Sequence, residues 1–158
     1  MISRTDTITD VKPIYQEYLE YIRQFFNITH PASWRETAVK NLHRYAMAED
    51  RHIYTLKVSG AVIGFALINQ HLRFNSDGVA MAEFYIQKGH GRKGYGRQLA
   101  EHVFGLFSGH WEVAVTRTNT AALVFWEQVV STYTKGRFLK KRHPSFHGYG
   151  FVFNTAIR

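Results

Sequence analysis

Residues 89–96 read Gly-His-Gly-Arg-Lys-Gly-Tyr-Gly. Four glycines in eight residues leave the backbone amides open, and His90, Arg92 and Lys93 set positive charge among them. Just beyond, Tyr95, Leu99, Ala100, Val103, Phe104 and Phe107 recur at helical spacing, so a helix begins in this stretch and adds the positive end of its dipole. Open amides, a helix start and fixed cations together make an anion site suited to a diphosphate.

Three simpler or rival readings of the loop can be weighed on residues alone. Gly89 to Gly94 literally match the G-x-G-x-x-G of a dinucleotide fold, but that loop belongs in the first turn of two βαβ halves, and only 62 residues follow Gly96. The acidic residue that would take the ribose is also misplaced, since Glu112 stands at the start of the next predicted strand. A nucleoside-triphosphate loop needs Gly-Lys-Ser or Gly-Lys-Thr, and neither occurs. A plain strand-to-helix turn needs fewer glycines than this. The nine histidines include only the pairs His143/His147 and His71/His90 at suggestive spacing, with no H-E-x-x-H and no cysteine, so no metal is expected.

The elements that must position the loop follow from periodicity. Asp10 to Phe26 carries Val11, Ile14, Tyr15, Tyr18, Leu19, Ile22, Phe25 and Phe26 at helical steps, with Asp10 as the expected cap. A second helix is expected from Ser33 or Trp34 to Met47, with Ser33 and Glu36 as a capping box. His52–Val58 and Ala61–Asn69, joined by Ser59-Gly60, read as a hairpin. A strand from Val79 to Gln87 puts Ala80, Ala82, Phe84 and Ile86 on one face and Met81, Glu83 and Tyr85 on the other. After the loop and its helix come a strand from Trp111 to Thr116, a helix from Asn119 to Val130, and closing strands over Arg137–Lys141 and Tyr149–Asn154. This order predicts an α/β chain with one mixed sheet covered by helices, a single domain over residues 1–158.

Composition narrows the setting. A 45% hydrophobic fraction supplies one proper core, and no apolar run has membrane or signal-peptide length, so a soluble cytoplasmic protein is expected. A net charge of +8 favours anionic partners without choosing among phosphorylated ligands, nucleic acid and acidic surfaces.

The run AEFYIQKGHGRKGYGRQLAEHVF resembles the acyl-coenzyme A loop of the GNAT superfamily of N-acyltransferases, whose signature is Gln/Arg-x-x-Gly-x-Gly/Ala between a strand and a helix. The later run NTAALVFW resembles the same superfamily's Asn-x-x-Ala-x-x-Phe-Tyr helix, and the likeness spans Ile53 to Phe153. It implies an α+β fold with a mostly antiparallel twisted sheet of about six to seven strands and about four helices. It also implies an enzyme that uses acetyl-coenzyme A to acetylate an amine, with no covalent enzyme intermediate. Phe84, Tyr85 and Ile86 would pair with the pantetheine arm, and Gly91, Arg92, Lys93, Gly94, Tyr95, Gly96 and Arg97 would form the diphosphate loop. Asn119, Ala122, Phe125 and Trp126 would complete the coenzyme site, and Asn119 suits a helix cap as well. The amide of Tyr85 or Ile86 would stabilise the oxyanion, and Glu83 is the candidate base, with a carboxylate paired to a nearby arginine or exposed at a strand edge as the bland alternative.

Two positions depart from the superfamily pattern. Gly91 stands where Gln or Arg is usual, and Trp126 stands where a tyrosine usually protonates the leaving thiolate. Tyr133, His147 and Tyr149 are alternative acids that nothing in the sequence ranks. The N-terminal helices and closing strands, which would build the acceptor pocket, carry Tyr15, Tyr18, Tyr21, Phe25, Phe26, Trp34, Phe146 and Tyr149, suited either to an aromatic pocket or to core. Edge strands near the C-terminus could pair two subunits into a homodimer. Competing functions are a coenzyme A-binding sensor without turnover and a basic nucleic-acid binder, the latter without any recognised binding signature.

Overall fold

The computed structural model of the chain describes residues 1–157. Its elements are β1 (Ile2–Thr5), α1 (Lys12–Ile22), a 3-10 turn (Arg23–Phe25), α2 (Pro31–Met47), β2 (His52–Val58), β3 (Ala61–Asn69), β4 (Val79–Ile86), α3 (Tyr95–Phe104), β5 (His110–Thr116), α4 (Thr120–Thr134), β6 (Leu139–His143) and β7 (Phe146–Asn154). The seven strands form one mixed sheet in the order β1-β2-β3-β4-β5-β7-β6. β4 and β5 run parallel, whereas β1–β2, β5–β7 and β6–β7 are antiparallel. Among the described residues no helix is long and apolar enough to cross a membrane.

Several element boundaries differ from expectation for identifiable reasons. β1 was not expected, because its four residues hold one apolar side chain; it exists by pairing Ile2–Thr5 with Leu56–Ile53 of β2. Asp10 does not cap α1: its carboxylate meets Lys57 Nζ at 3.3 Å, and Val11 takes the cap position with its amide on the Ile8 carbonyl. Ser33 does not cap α2 either. Pro31, whose fixed φ suits a first turn, starts that helix earlier, and Glu36 lies 3.7 Å from Lys40 one turn on. The hairpin turn is as read, with Ser59 and Gly60 both at positive φ. Asn119 caps α4, its Oδ1 accepting from the Ala122 amide at 3.2 Å. β7 begins at Phe146, earlier than expected, because Gly148 and Gly150 weaken a strand signal but permit close neighbours.

The chain divides into two compact units, one of Met1–Leu67 with Glu83–Leu99 and the other of Ile68–Ala82 with the residues from Ala100 onward. In the first unit, Val11, Ile14, Tyr15, Tyr18 and Leu19 of α1 pack with Leu42 and Tyr45 of α2 on Ile53, Phe65, Leu67 and Tyr85 of the sheet. These strand residues are all odd-numbered, so one face of β2–β4 carries the two helices.

In the second unit, Phe104 meets Trp111 and Phe153 edge to face, both at 5.0 Å, while Trp111 and Phe153 stack. Glu112, next along β5 and so on its other face, is also buried, and its carboxylate accepts from the amides of Arg73, Phe74 and Asn75 at 2.7 to 3.1 Å. The loop before β4 is thereby pinned, and it lays the Phe74 ring on Gly150. Glu112→Ala would orphan these donors in a buried place. We expect a loss of roughly 3 kcal/mol, or about 10 °C in thermal midpoint, measured by calorimetry.

Candidate active site

Glu83 lies on the face of β4 covered by α1. The Tyr15 hydroxyl donates to both of its carboxylate oxygens, at 3.0 and 3.1 Å, and Tyr18 adds a further hydrogen bond. Desolvation pushes the Glu83 carboxyl up from 4.5 to about 7, with the two hydroxyls pulling partly the other way. Burial, followed by the Glu83 charge, pushes both tyrosines well above their ordinary range, so they remain protonated donors. A carboxyl titrating near neutrality on a fixed mount is suited to accept a proton. Replacing Tyr15 by Phe removes a bond to the charged form. Glu83 should then titrate about one pH unit higher, as read by carboxyl NMR.

Tyr85 shares this face, two residues further along β4. Its hydroxyl donates to Glu17 Oε2 at 2.7 Å, and Gln87 Nε2 donates to Glu17 Oε1 at 3.5 Å. Its ring sits among Tyr18, Tyr21 and Phe65 at 5.6 to 6.3 Å. Burial and then the Glu17 carboxylate push the Tyr85 hydroxyl up, so this side chain keeps its proton. Glu17 escaped the sequence reading. The available signal was its place on the flank of the apolar stripe, with Tyr21 one turn beyond it.

The backbone of β4 distinguishes two candidate amides. The Gln87 amide bonds the Ile63 carbonyl of β3 at 2.7 Å, and amides along an antiparallel strand alternate in direction. The Tyr85 amide therefore faces β3, and its carbonyl lies 3.1 Å from where a Cβ on Gly64 would stand. The Ile86 amide points to the opposite edge of β4.

Beyond β4 the chain turns with the His90 amide on the Gln87 carbonyl at 3.1 Å. Gly89, Arg92 and Gly94 take positive φ, and the first bond of α3 is Gln98 N–H to Gly94 C=O at 3.0 Å. Among the described residues, no acceptor takes the amides of Gly91, Arg92, Lys93, Gly94, Tyr95 or Gly96. A Cβ added at Gly89, Gly91 or Gly94 would meet nothing within 4 Å, so these glycines do not make room for the chain itself. The His90 Nδ1 is also buried without a partner, its ring 6.2 Å from Tyr95. Exposed Arg92 and Lys93 add charge to the same open amides. The loop offers donors, a helix start and cations in one place, which fits a diphosphate.

Glu83, Phe84, Tyr85, Ile86 and Gly91–Arg97 thus all belong to the first unit, whereas Asn119, Ala122, Phe125 and Trp126 belong to the second. There Trp126 is 5% exposed, with Phe125 and Phe104 as ring neighbours at 4.9 and 6.3 Å. Tyr133 packs on Phe104 at 5.2 Å, Tyr149 accepts a hydrogen bond from Arg142, and His147 is exposed. His143 Nδ1 lies 2.9 Å from Ser145 Oγ, and His71 and His90 fall in different units. Among the described residues, no group of three metal-ligating side chains occurs.

Comparison with known proteins bears on the family and the fold. The model of the acetyltransferase (GNAT) family matches residues 19–130. Among solved structures, the PaiA N-acetyltransferase of Thermoplasma acidophilum, in complex with coenzyme A, is similar with a TM-score of 0.70 and 14% identity, covering 98% of this chain and 99% of that one. The ribosomal-protein-S18-alanine N-acetyltransferase of Escherichia coli has a TM-score of 0.65 and 17% identity over 100% of this chain and 95% of its own. An acetyltransferase from Thermus thermophilus has a TM-score of 0.68 and 14% identity over 98% and 97% of the two chains. No curated protein matches the sequence.

Proposed function

Since the chain belongs to the GNAT acetyltransferase family, we propose that it transfers an acetyl group from acetyl-coenzyme A directly to an amine, acting as one domain. The observation that carries this reading is the run of amides from Gly91 to Gly96 with no acceptor among the described residues. They take the diphosphate, with Arg92 and Lys93 neutralising its charge. The edge of β4 at Phe84 and Ile86 pairs with the pantetheine arm as an added strand.

When bound, the thioester supplies an activated acetyl group. Glu83 takes a proton from the acceptor amine, directly or through water, because an amine of pKa about 10.4 is mostly protonated at neutral pH. The amine nitrogen forms its bond to the carbonyl carbon, and the Ile86 amide donates to the oxygen on which charge gathers. The carbon–sulfur bond breaks, and the second proton that the nitrogen sheds passes through water to the departing thiolate, leaving the neutral amide and the free thiol. A buried Trp126 offers no hydroxyl for that last step. With a thiol pKa of about 8.5 the thiolate still leaves, at a cost within the roughly 10²–10⁴-fold range of one general acid.

Release of coenzyme A from acetyl-coenzyme A, assayed across peptides, polyamines, aminoglycosides and amino acids, tests the proposal. Turnover with an amine supports it. Tight acetyl-coenzyme A binding with no thiol released against the whole panel would instead favour a coenzyme-binding module, the reading that Trp126 keeps open.

A further inference from the structure

Resting on the acetyl-transfer reading above, we propose that the acceptor amine carries a second positive charge, and that Glu17 is the specificity-determining residue that receives it. On the face of β4 under α1, Glu83 and Glu17 are each held by a neutral hydroxyl, from Tyr15 and Tyr85. Among the described residues neither carboxylate is paired with a lysine or arginine, although the chain carries a net charge of +8. Glu20, three residues on along the same helix, shows the contrast: it holds Arg23 at 3.3 Å and Arg35 at 3.1 Å. Own-chain cations thus gather on the solvent side of α1 and leave the β4 side to carboxylates and tyrosines.

The surroundings of Glu17 suit an ammonium group. Its carboxylate accepts from Tyr85 and Gln87 and retains lone pairs for further donors. The buried Tyr85 ring, whose hydroxyl holds Glu17, tilts against Tyr21 at 5.6 Å, and Tyr21, one helical turn beyond Glu17, is 37% exposed and lies 5.4 Å from Phe25, so an aromatic cluster next to the carboxylate reaches solvent at Tyr21. A carboxylate edged by tyrosine faces attracts a cation by charge and by the ring quadrupole together. With the reacting amine at Glu83, Glu17 takes the second charge, and a monoamine leaves that site unused.

The test compares putrescine with n-butylamine as acceptors, in the wild type and in Glu17→Gln, which keeps an oxygen for the Tyr85 hydroxyl. The wild type should prefer putrescine by about 10- to 100-fold in kcat/KM, mostly through KM, and Glu17→Gln should collapse the ratio towards one. A wild-type ratio near one, or a preference that survives in Glu17→Gln, overturns the proposal. A pair of peptides differing only by a basic or neutral residue beside the free amine tells whether the dication is a small molecule or a peptide.

Calorimetric titration with the unreactive bis-trimethylammonium analogue of putrescine decides the matter without turnover. Binding to the wild type that weakens tenfold or more in Glu17→Gln supports the proposal, and equal binding to both overturns it. If no amine is acetylated while that binding persists, it is the acetyl-transfer reading that fails.

Discussion

Glu83→Gln is expected to lower kcat/KM for amine acetylation by roughly 10²–10⁴-fold, the range of a general base. The wild type should show an ascending limb in kcat/KM with a midpoint near pH 7, because a carboxyl pushed up to about 7 is protonated, and unable to accept, below that value. The variant should lack this limb. Stability should move the other way. The folded state holds this proton more tightly than the unfolded state, whose value is 4.5, so wild-type stability falls as pH rises from 4.5 to about 7. The ionised form costs the folded protein about 3 kcal/mol, and a neutral glutamine avoids that cost. A melting temperature at pH 8 that rises in Glu83→Gln while activity collapses marks a functional carboxylate. An unchanged pH profile would remove Glu83 from the mechanism.

Gly94→Asp should weaken acetyl-coenzyme A binding by about 100-fold or more, read by calorimetric titration. The new side chain brings negative charge among amides assigned to a diphosphate, at a residue with φ of 80°. Gly94→Ala separates the two causes. Its Cβ meets nothing within 4 Å of the chain, so only the backbone penalty of about 1–2 kcal/mol remains. Binding should then fall about tenfold or somewhat more. If Gly94→Asp binds acetyl-coenzyme A as the wild type does, the loop does not hold the diphosphate, and the functional reading loses its main support.

What the sequence by itself determined lies within short stretches of chain. The apolar stripe of α1, the Ser59-Gly60 hairpin, the glycine loop between β4 and α3 and the Asn119 cap were all legible, because each is set by torsional preference and periodicity over a few residues. Glu83 was legible as a candidate, and its place on one face of β4 with Tyr85 followed from strand alternation.

Only the tertiary structure decided what those residues meet. Tyr15 reaches Glu83, and Tyr85 reaches Glu17, each across 68 positions of sequence, through the docking of α1 on the sheet. β1 needed a partner strand to exist, and the start of α1 depended on Val11 being buried rather than on Asp10 as a cap. The choice of Ile86 over Tyr85 as the outward amide required the register of β4 on β3. The physical reason is common to these cases. Hydrogen-bond partners, strand register and the desolvation that sets a carboxyl's proton affinity are properties of groups brought together by folding, and no local pattern of residue types encodes them.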